Sequence, residues 1–335
     1  MELSQLLLII VLISILNPSF GHFEDRLGGY HSCAHSQIPT GGLKCWGAND
    51  GGQLGYETTV KVGALPKEMG DHLPYIYLGN LDVKQFATGL YHTIIATTTN
   101  KVKAWGGNTQ GQLGYGDTYE RGSTEKTMGK NLDYLNLGSE VEAWFCSGGK
   151  YFSCIVDLQY FLPKCWGANS YGQLGTGNND NSGMGANEMG DYLLFIPLGE
   201  NVNVEKGFVS GSYHNCALSQ TNLVKCWGYN DNGQLGLGTD VDKGNHPNEM
   251  GDYLQFINLG TGVLVESMSA SDHTTIVTVN HVLKSWGVND DGELGYGNTQ
   301  SLGLNPNEMG DYLPFVNIGT GLKIAAVFTG NHHTV

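Results

Sequence analysis

The stretch Trp46–Gly55, WGANDGGQLG, decides the fold of this 335-residue chain. It has the form Trp-Gly-x-Asn-x-x-Gly-(Gln/Glu)-Leu-Gly, in which the glycines are suited to tight turns and the leucine to an apolar anchor. The same form returns at Trp105–Gly114, Trp166–Gly175, Trp227–Gly236 and Trp286–Gly295, with successive tryptophans 59, 61, 61 and 59 positions apart. A motif that recurs at a nearly fixed period predicts one structural unit repeated along the chain.

Two further blocks recur between these motifs. Glu-Met-Gly-Asp precedes an apolar alternation, and a block of the form Gly-x-Tyr-His begins an apolar run. No linker separates the copies, so we assign residues 22–335 to a single domain. Its units lie near residues 28–67, 68–126, 127–187, 188–248, 249–307 and 308–335.

The apolar runs within a unit are short and bounded by Gly, Asn or Asp, as in His92–Thr98, Val102–Trp105, Tyr75–Leu78 and Val83–Ala87. They indicate strands joined by turns. About four strands fit each unit, so the sequence predicts an all-β fold, a β-propeller of four-stranded blades. One tryptophan per unit is expected to pack between adjacent blades as repeat core: Trp46, Trp105, Trp166, Trp227 and Trp286.

The number of blades stays open at this point. Five complete Trp-Gly blocks fit either a closed five-unit ring or an incomplete arc of a seven-bladed propeller. Residues 28–33 and 330–335 occupy the same position within a unit, and both cannot fill one strand of a shared blade. This duplication slightly favours the arc.

The Trp-Gly-x-Asn-x-x-Gly-Gln-Leu-Gly block, preceded by Gly-x-x-His and a strand, resembles the repeat of the regulator of chromosome condensation family. The resemblance covers about residues 28–335. It implies a propeller, with seven blades in the best-known members. The family's nuclear namesake is a guanine nucleotide exchange factor, and a secreted bacterial β-lactamase inhibitor with this fold binds its enzyme through one propeller face. The Glu-Met-Gly-Asp block is not part of the general family pattern.

The first residues read as a targeting signal. Leu6–Leu16 is an eleven-residue apolar run, too short to span a bilayer but suited to a signal-peptide core. Ser19 and Gly21 fit the small-residue rule for cleavage before His22, although Glu2 stands where Lys or Arg is usual. We therefore expect residues 1–21 to be a signal peptide, the mature protein to be extracellular, and no membrane association after cleavage.

Six of the seven cysteines bracket hairpins that lead into Trp-Gly. The pairs are Cys33 with Cys45, Cys154 with Cys165, and Cys216 with Cys226. Where one cysteine of a pair is missing its partner is missing too: Ile94 and Ala104 fill the two positions in one unit, Thr275 and Ser285 in another. This pattern predicts three disulfides within blades. The seventh, Cys146, is expected to be a buried thiol outside any disulfide.

No side-chain set stands out as a metal or cofactor site. The cysteines lack Cys-x-x-Cys spacing, and the Asn-Asp-Gly turns do not continue into a calcium loop. Histidines recur at one position of the unit, but Phe152 replaces one of them, which favours a structural role: His31, His92, His214, His273 and His333. The sequence therefore predicts no metal and no cofactor.

Charge and motifs narrow the function. The excess of 32 acidic over 17 basic residues gives a net charge of −15, which disfavours nucleic acid as a partner. Because Gly-x-Ser-x-Gly, His-Glu-x-x-His and phosphate-loop motifs are absent, we expect no enzyme. The favoured function is a secreted, rigid, non-catalytic module that binds an unidentified protein through rim loops. Nucleotide exchange, and glycan binding or hydrolysis, remain as alternatives.

Overall fold

The structure is a computed structural model, and it describes residues 29–36 and 42–335. The predicted signal peptide, residues 1–21, lies outside the described residues. The strands are β1 His31–His35, β2 Leu43–Gly47, β3 Val83–Thr88, β4 His92–Thr97, β5 Val102–Gly106, β6 Ala143–Gly148, β7 Phe152–Asp157, β8 Pro163–Gly167, β9 Gly207–Ser210, β10 His214–Leu218, β11 Val224–Gly228, β12 Val265–Ala270, β13 His273–Thr278, β14 Leu283–Gly287, β15 Thr329–Gly330 and β16 His333–Thr334. Short 3-10 turns lie at Gly70–His72, Gly129–Asn131, Gly190–Tyr192, Gly251–Tyr253, Pro306–Glu308 and Gly310–Tyr312.

Every sheet belongs to one repeat unit and is antiparallel. Four units form three-stranded sheets, β3-β4-β5, β6-β7-β8, β9-β10-β11 and β12-β13-β14, while β1-β2 and β15-β16 form two-stranded sheets. The first strands of the three-stranded sheets are followed by small residues that line a central channel, among them Gly89, Gly149 and Gly211. This radial arrangement of small sheets is that of a β-propeller.

Four strands per blade are not confirmed. The outer edge of β5 is shared between two segments: Gly106 forms an isolated bridge with Arg121, and the amide of Leu135 donates to the carbonyl of Val102 at 2.9 Å. The other units repeat both contacts. Because two separate segments divide one edge, neither forms a continuous ladder, so Tyr75–Leu78 and its equivalents are not strands.

The two ends of the described chain do not complete one blade. β1-β2 and β15-β16 are separate sheets, and β15 packs against β12 and β13 of the preceding unit. The described residues therefore form an arc that begins a sixth unit, rather than a five-unit ring closed through a shared sheet.

Glycines make room for close contacts both within a unit and between units. Gly106, after the tryptophan, has φ +116°, and a Cβ there would lie 2.3 Å from the carbonyl oxygen of Tyr91. Gly114, which ends the ten-residue motif, has φ +75°, and a Cβ there would lie 2.5 Å from Nε1 of Trp166 in the next unit. Any larger residue at either position is therefore both strained and obstructed.

The Glu-Met-Gly-Asp block has a structural role that sequence reasoning left open. In the last copy, the carboxylate of Glu308 accepts hydrogen bonds from the amides of Gly303 and Leu304 and closes that turn. Met309 is buried beside Trp286 in one apolar cluster. Asp311 reaches back to the preceding unit and accepts the Thr261 amide at 2.7 Å. The block thus fastens neighbouring units to one another.

In the part of the chain that the structure describes, no helix has the length and apolar character needed to cross a membrane.

Candidate interaction face

Neighbouring units are joined by a repeated clasp of hydrogen bonds. In one copy, Nε2 of His92 lies 2.8 Å from Oγ of Ser153 in the next unit. That hydroxyl donates to the backbone carbonyl of Gln112, which also accepts the indole N–H of Trp166 at 3.0 Å. Because the serine proton is directed at the carbonyl, the histidine is the donor to the serine. All four groups belong to adjacent units, so the clasp fixes one blade against the next.

The clasp recurs around the arc. Histidine Nε2 lies 2.7–2.9 Å from a threonine or serine hydroxyl in four copies: His31 with Thr93, His92 with Ser153, His214 with Thr274, and His273 with Thr334. Indole N–H groups donate to a carbonyl at 3.0–3.1 Å in four copies: Trp105 to Gln53, Trp166 to Gln112, Trp227 to Gln173, and Trp286 to Gln234. These four tryptophans have no exposed surface, whereas Trp46 of the first unit is half-buried.

One copy uses different side chains for the same contact. Phe152 takes the place of histidine, and the next unit carries Asn215 in place of serine or threonine. The Asn215 amide donates to the Gln173 carbonyl at 2.7 Å, and its oxygen accepts from the hydroxyl of Ser210. An amide supplies both a donor and an acceptor, so this clasp needs no imidazole.

Burial keeps the clasp histidines neutral. Loss of hydration lowers the pKa of His31 and His214 to about 3, and that of His92 and His273 to about 4. The Nδ1 atoms of His31, His92 and His273 have no hydrogen-bond partner within the described residues. These rings therefore act as hydrogen-bond donors through Nε2, and sequence reasoning missed that their partners lie in the next unit.

Each predicted cysteine pair lies directly across a hairpin, with Cα atoms 4.0–4.1 Å apart and sulfurs at bonding distance: Cys33 with Cys45, Cys154 with Cys165, and Cys216 with Cys226. Cys146 is buried, and its Sγ lies 3.9 Å from the carbonyl oxygen of Ile94 in the preceding unit. In the described residues, no group of three or more His, Cys, Asp or Glu side chains could hold a metal ion.

Tyrosines that directly follow residues of the channel lining form a row at the mouth of the channel. The ring centroids of Tyr30 and Tyr91 lie 5.9 Å apart, and those of Tyr91 and Tyr151 also lie 5.9 Å apart. Each ring belongs to a different unit, so the row crosses two unit boundaries. These separations lie within the range in which aromatic rings attract one another.

A second group of tyrosines continues the row. Tyr213, at the same unit position, lies 5.3 Å from Tyr171 and 6.2 Å from Tyr229, and these last two rings are 4.6 Å apart. We call Tyr30, Tyr91, Tyr151, Tyr171, Tyr213 and Tyr229 the tyrosine face. Tyr30 is 57% exposed and the other rings are half-buried, so the face presents ring surface and hydroxyls to solvent.

Ionisable groups are set among these rings. The Lys150 ammonium lies 5.0 Å from the centroid of Tyr213. The Tyr229 hydroxyl donates to the carboxylate of Asp231 at 3.0 Å. Burial and the adjacent Asp231 charge raise the pKa of Tyr229 to about 12, so this hydroxyl stays protonated.

The row changes character in the last two units. Where earlier units have tyrosine, the fifth has Asp272 and the sixth His332. His332 Nδ1 lies 3.2 Å from the carboxylate of Asp291. The mouth of the channel is thus aromatic on one side and ionisable on the other.

The opposite ends of the strands carry a separate set of tyrosines. Tyr229 follows the last residue of β11, whereas the turn that contains Tyr253 is tied to the beginning of β11 by the Lys225 ammonium, which donates to the carbonyl of Gly251 at 3.0 Å. Tyr192, Tyr253 and Tyr312 are 67%, 68% and 72% exposed. They provide a matched control surface for the tyrosine face.

The turns that resemble calcium loops are organised by asparagine. Asn230 is fully buried; its oxygen accepts the Leu235 amide at 2.9 Å, and its amide donates to the carbonyls of Thr239 and Val241. Equivalent bonds to leucine form in every complete copy, at 2.8–2.9 Å, for Asn49, Asn108, Asn169 and Asn289. The asparagines therefore hold these turns in shape, as turn-forming residues do.

Comparison with known protein families agrees with the repeat pattern. The profile of the regulator of chromosome condensation (RCC1) repeat matches residues 83–112, 206–234 and 224–277. The chain belongs to the RCC1-repeat family. Among solved structures, this RCC1-repeat protein is similar to Prp20p of Saccharomyces cerevisiae, with a TM-score of 0.66 and 20% identity over 92% of this chain and 68% of Prp20p. That likeness supports the propeller fold.

Curated relatives of the RCC1-repeat chain are larger proteins. The probable E3 ubiquitin-protein ligase HERC6 of Homo sapiens is 32% identical over 298 residues, which are 88% of this chain and 25% of HERC6. The ultraviolet-B receptor UVR8 of Arabidopsis thaliana is 25% identical over 276 residues, 81% of this chain and 54% of UVR8. The chain thus spans a quarter of one relative and about half of the other.

The prediction that this RCC1-repeat protein is not an enzyme is contradicted by these relatives, because HERC6 is named as a probable ligase. That prediction rested on three absent motifs, which report only hydrolase, metalloprotease and phosphate-loop chemistry. A fold also hosts functions that leave no such motif. The absence of these motifs therefore does not exclude an enzyme.

Proposed function

We propose that this RCC1-repeat protein is a secreted interaction module that binds another protein through the tyrosine face. The single observation that carries the proposal is the row of tyrosines continued across repeat units at one mouth of the channel. The rings of Tyr91 and Tyr151 lie 5.9 Å apart across a unit boundary, tilted by 33°, so each ring packs beside its neighbour without a partner present. Tyrosine is enriched at protein interfaces because its ring supplies contact area and its hydroxyl a hydrogen bond.

Rigidity beneath the rings supports the same proposal. Tyr30, Tyr91 and Tyr213 directly precede clasp histidines, and the clasps join neighbouring blades through buried hydrogen bonds. A surface that is already ordered loses little conformational freedom on binding. Relatives are consistent with protein binding as well, since Prp20p is described with its binding to Gsp1p and histones.

Secretion is part of the proposal. Three cysteine pairs at bonding distance fit an oxidising compartment. The apolar run Leu6–Leu16 has the length of a signal-peptide core. Mass spectrometry of the protein recovered from culture medium is expected to find His22 at the amino terminus. An intracellular protein that begins at Met1 would contradict this part of the proposal.

The proposed function is tested by comparing two matched surfaces. The double variant Tyr91→Ser/Tyr151→Ser alters the tyrosine face, and Tyr192→Ser/Tyr253→Ser alters the exposed tyrosines at the other strand ends. Proteins retained by the immobilised wild-type chain from the extracellular fluid are quantified for each variant. We expect the face variant to lose a partner that the control variant keeps. Equal retention by both variants, or loss only with the control variant, would contradict the proposal.

Two alternatives are distinguished by additional measurements. Exchange activity, as in the family's namesake, predicts that the chain accelerates nucleotide release from a small GTPase. Glycan binding is favoured by the same aromatic rings, which stack on sugars as well as on peptides. It predicts that retention of the partner is lost after enzymatic removal of its glycans, whereas protein recognition predicts that retention persists.

A further inference from the structure

Several carboxylates lie beside the tyrosine face. The Tyr229 hydroxyl donates a hydrogen bond to Asp231. The Asp272 carboxylate lies close enough to Lys150 to raise the pKa of the lysine. The turn that carries Asp231 has exposed carboxylates at equivalent positions in the first and fifth units. The acidic groups at these strand ends include Asp231, Asp242, Asp272 and Asp291, with Asp50 and Asp290 at positions equivalent to Asp231. The basic groups include Lys150, His332, Lys243, which is paired with Glu249, and Arg121, which is paired with Asp117. A positively charged ligand is therefore favoured over a negative one.

The face already holds one cation among its rings. The Lys150 ammonium lies 5.0 Å from the centroid of Tyr213, within the range of cation–π attraction. Burial lowers the pKa of Lys150, but the Tyr213 hydroxyl and the Asp272 carboxylate outweigh that effect, and its pKa is raised. An ammonium is thus stabilised in its charged form between a tyrosine ring and an aspartate.

Carboxylates alone would attract any cation, whereas tyrosine rings beside them favour an organic cation with an aliphatic or planar stem. Lysine and arginine side chains fit that description. Arginine in addition forms paired hydrogen bonds with a carboxylate such as Asp231, which is exposed and oriented by Tyr229. The tyrosine face combines both requirements within one surface.

We propose that the tyrosine face binds a segment rich in arginine or lysine on the partner protein. Its cationic side chains pack on the tyrosine rings and pair with Asp231, which accepts from Tyr229, and with Asp272, which lies near Lys150. This inference rests on the proposed function, because it specifies the partner of the same face. Acidic peptides and nucleic acids are disfavoured, since the basic groups Lys150, His332, Lys243 and Arg121 already have the carboxylates Asp272, Asp291, Glu249 and Asp117 beside them.

The test uses synthetic peptides and isosteric variants. A nine-residue peptide of alternating arginine and glycine is titrated into the mature protein by calorimetry, beside a peptide with glutamate in place of arginine. The variant Asp231→Asn/Asp272→Asn removes two charges from the face. The control Glu200→Gln/Glu205→Gln removes two exposed charges near the opposite strand ends, so the net charge of the two variants is equal.

The expected results separate face-specific binding from general attraction. We expect the arginine peptide to bind the wild-type protein, with affinity about tenfold lower for the aspartate variant and within about twofold of wild type for the glutamate control. Equal weakening by both variants, or no binding of the arginine peptide, would overturn the inference. The variant Tyr91→Ser/Tyr151→Ser distinguishes failure of this inference from failure of the proposed function. If that variant loses its protein partner while the arginine peptide fails to bind, the face binds protein without a basic preference.

Discussion

His92 and Ser153 lie in neighbouring repeat units, and the Nε2 and Oγ atoms of the two side chains are 2.8 Å apart. The serine hydroxyl donates a hydrogen bond to the carbonyl of Gln112, which also accepts the indole N–H of Trp166. Trp166 belongs to the same unit as Ser153. A hydrogen bond between units, repeated along the arc, means that the stability of each blade depends on its neighbour. Three residues of the tyrosine face, Tyr30, Tyr91 and Tyr213, directly precede histidines that make these contacts.

Low pH is expected to destabilise the fold through the clasp histidines. Burial lowers the pKa of His92 to about 4, below the value near 6.5 of an unfolded chain. Between these values the unfolded state binds more protons, so stability falls as pH decreases below about 6.5 and is unaffected above it. Each clasp histidine contributes a loss of about 1–2 kcal/mol near pH 5. Urea unfolding at a series of pH values measures this slope.

The chain supplies its own control for the pH effect. The variant His92→Phe/Ser153→Asn installs the pair that nature places at Phe152 and Asn215. It is expected to fold, because the asparagine amide replaces the serine hydroxyl as donor to the Gln112 carbonyl. Its stability is expected to depend less on pH between about 5 and 7. An unchanged slope would show that His92 is not responsible.

Tryptophans in the clasp are expected to contribute more to the free energy of unfolding than Trp46, which lies outside it. Trp166→Phe removes an indole donor from the Gln112 carbonyl and leaves a small cavity, at a cost of about 1–3 kcal/mol in the free energy of unfolding. Trp46→Phe is the matched variant, and its half-buried side chain is expected to cost less than about 1 kcal/mol. Denaturant titration of both variants checks the order, and equal losses would contradict it.

Six of the seven cysteines are expected to be joined in disulfides, and Cys146 is expected to keep its thiol. Denatured, unreduced protein should titrate with one thiol, and reduction should release six more, since the chain has 7 cysteines and three bonded pairs. The measurement is colorimetric thiol titration of protein recovered from the medium. Seven thiols without reductant would show that the pairs are not disulfides in solution.

The unit without cysteines at Thr275 and Ser285 is expected to accept a new disulfide. These residues face each other in the register of β13 and β14, and their hydroxyls are 3.0 Å apart. Thr275→Cys/Ser285→Cys is therefore expected to form a fourth bridge and to raise stability by up to about 3 kcal/mol. Non-reducing peptide mapping detects the bridge, and its absence under oxidising conditions would contradict the assigned register.

Much of the fold could be predicted from sequence, because the same strand and turn motifs recur in each repeat. Trp-Gly followed by Asn-x-x-Gly fixes a strand end and a turn, and the cysteine pairs mark two strands in register. The number of strands per blade could not be predicted. The outer edge of the third strand is divided between two segments, and one of them, Tyr75–Leu78 in the first copy, has the apolar character of a strand without forming one.

The candidate site was less accessible to sequence reasoning. His92 and Ser153 are 61 residues apart, and Tyr91 and Tyr151 are similarly distant, so only the radial packing of units brings them together. The repeated tyrosine of the Gly-x-Tyr-His block was the available signal. Its loss in the fifth unit, where Asp272 replaces it, could be read in the sequence, but the adjacency of Asp272 to Lys150 could not.

Hydrogen exchange with and without the protein partner tests the central claim most directly, since it locates the bound surface along the chain. The account predicts slower exchange in peptides that contain Tyr91, Tyr151 and Tyr213 when the partner is bound. It predicts unchanged exchange in peptides that contain Tyr192 and Tyr253. Protection confined to the latter pair, with no change at the tyrosine face, would contradict the account.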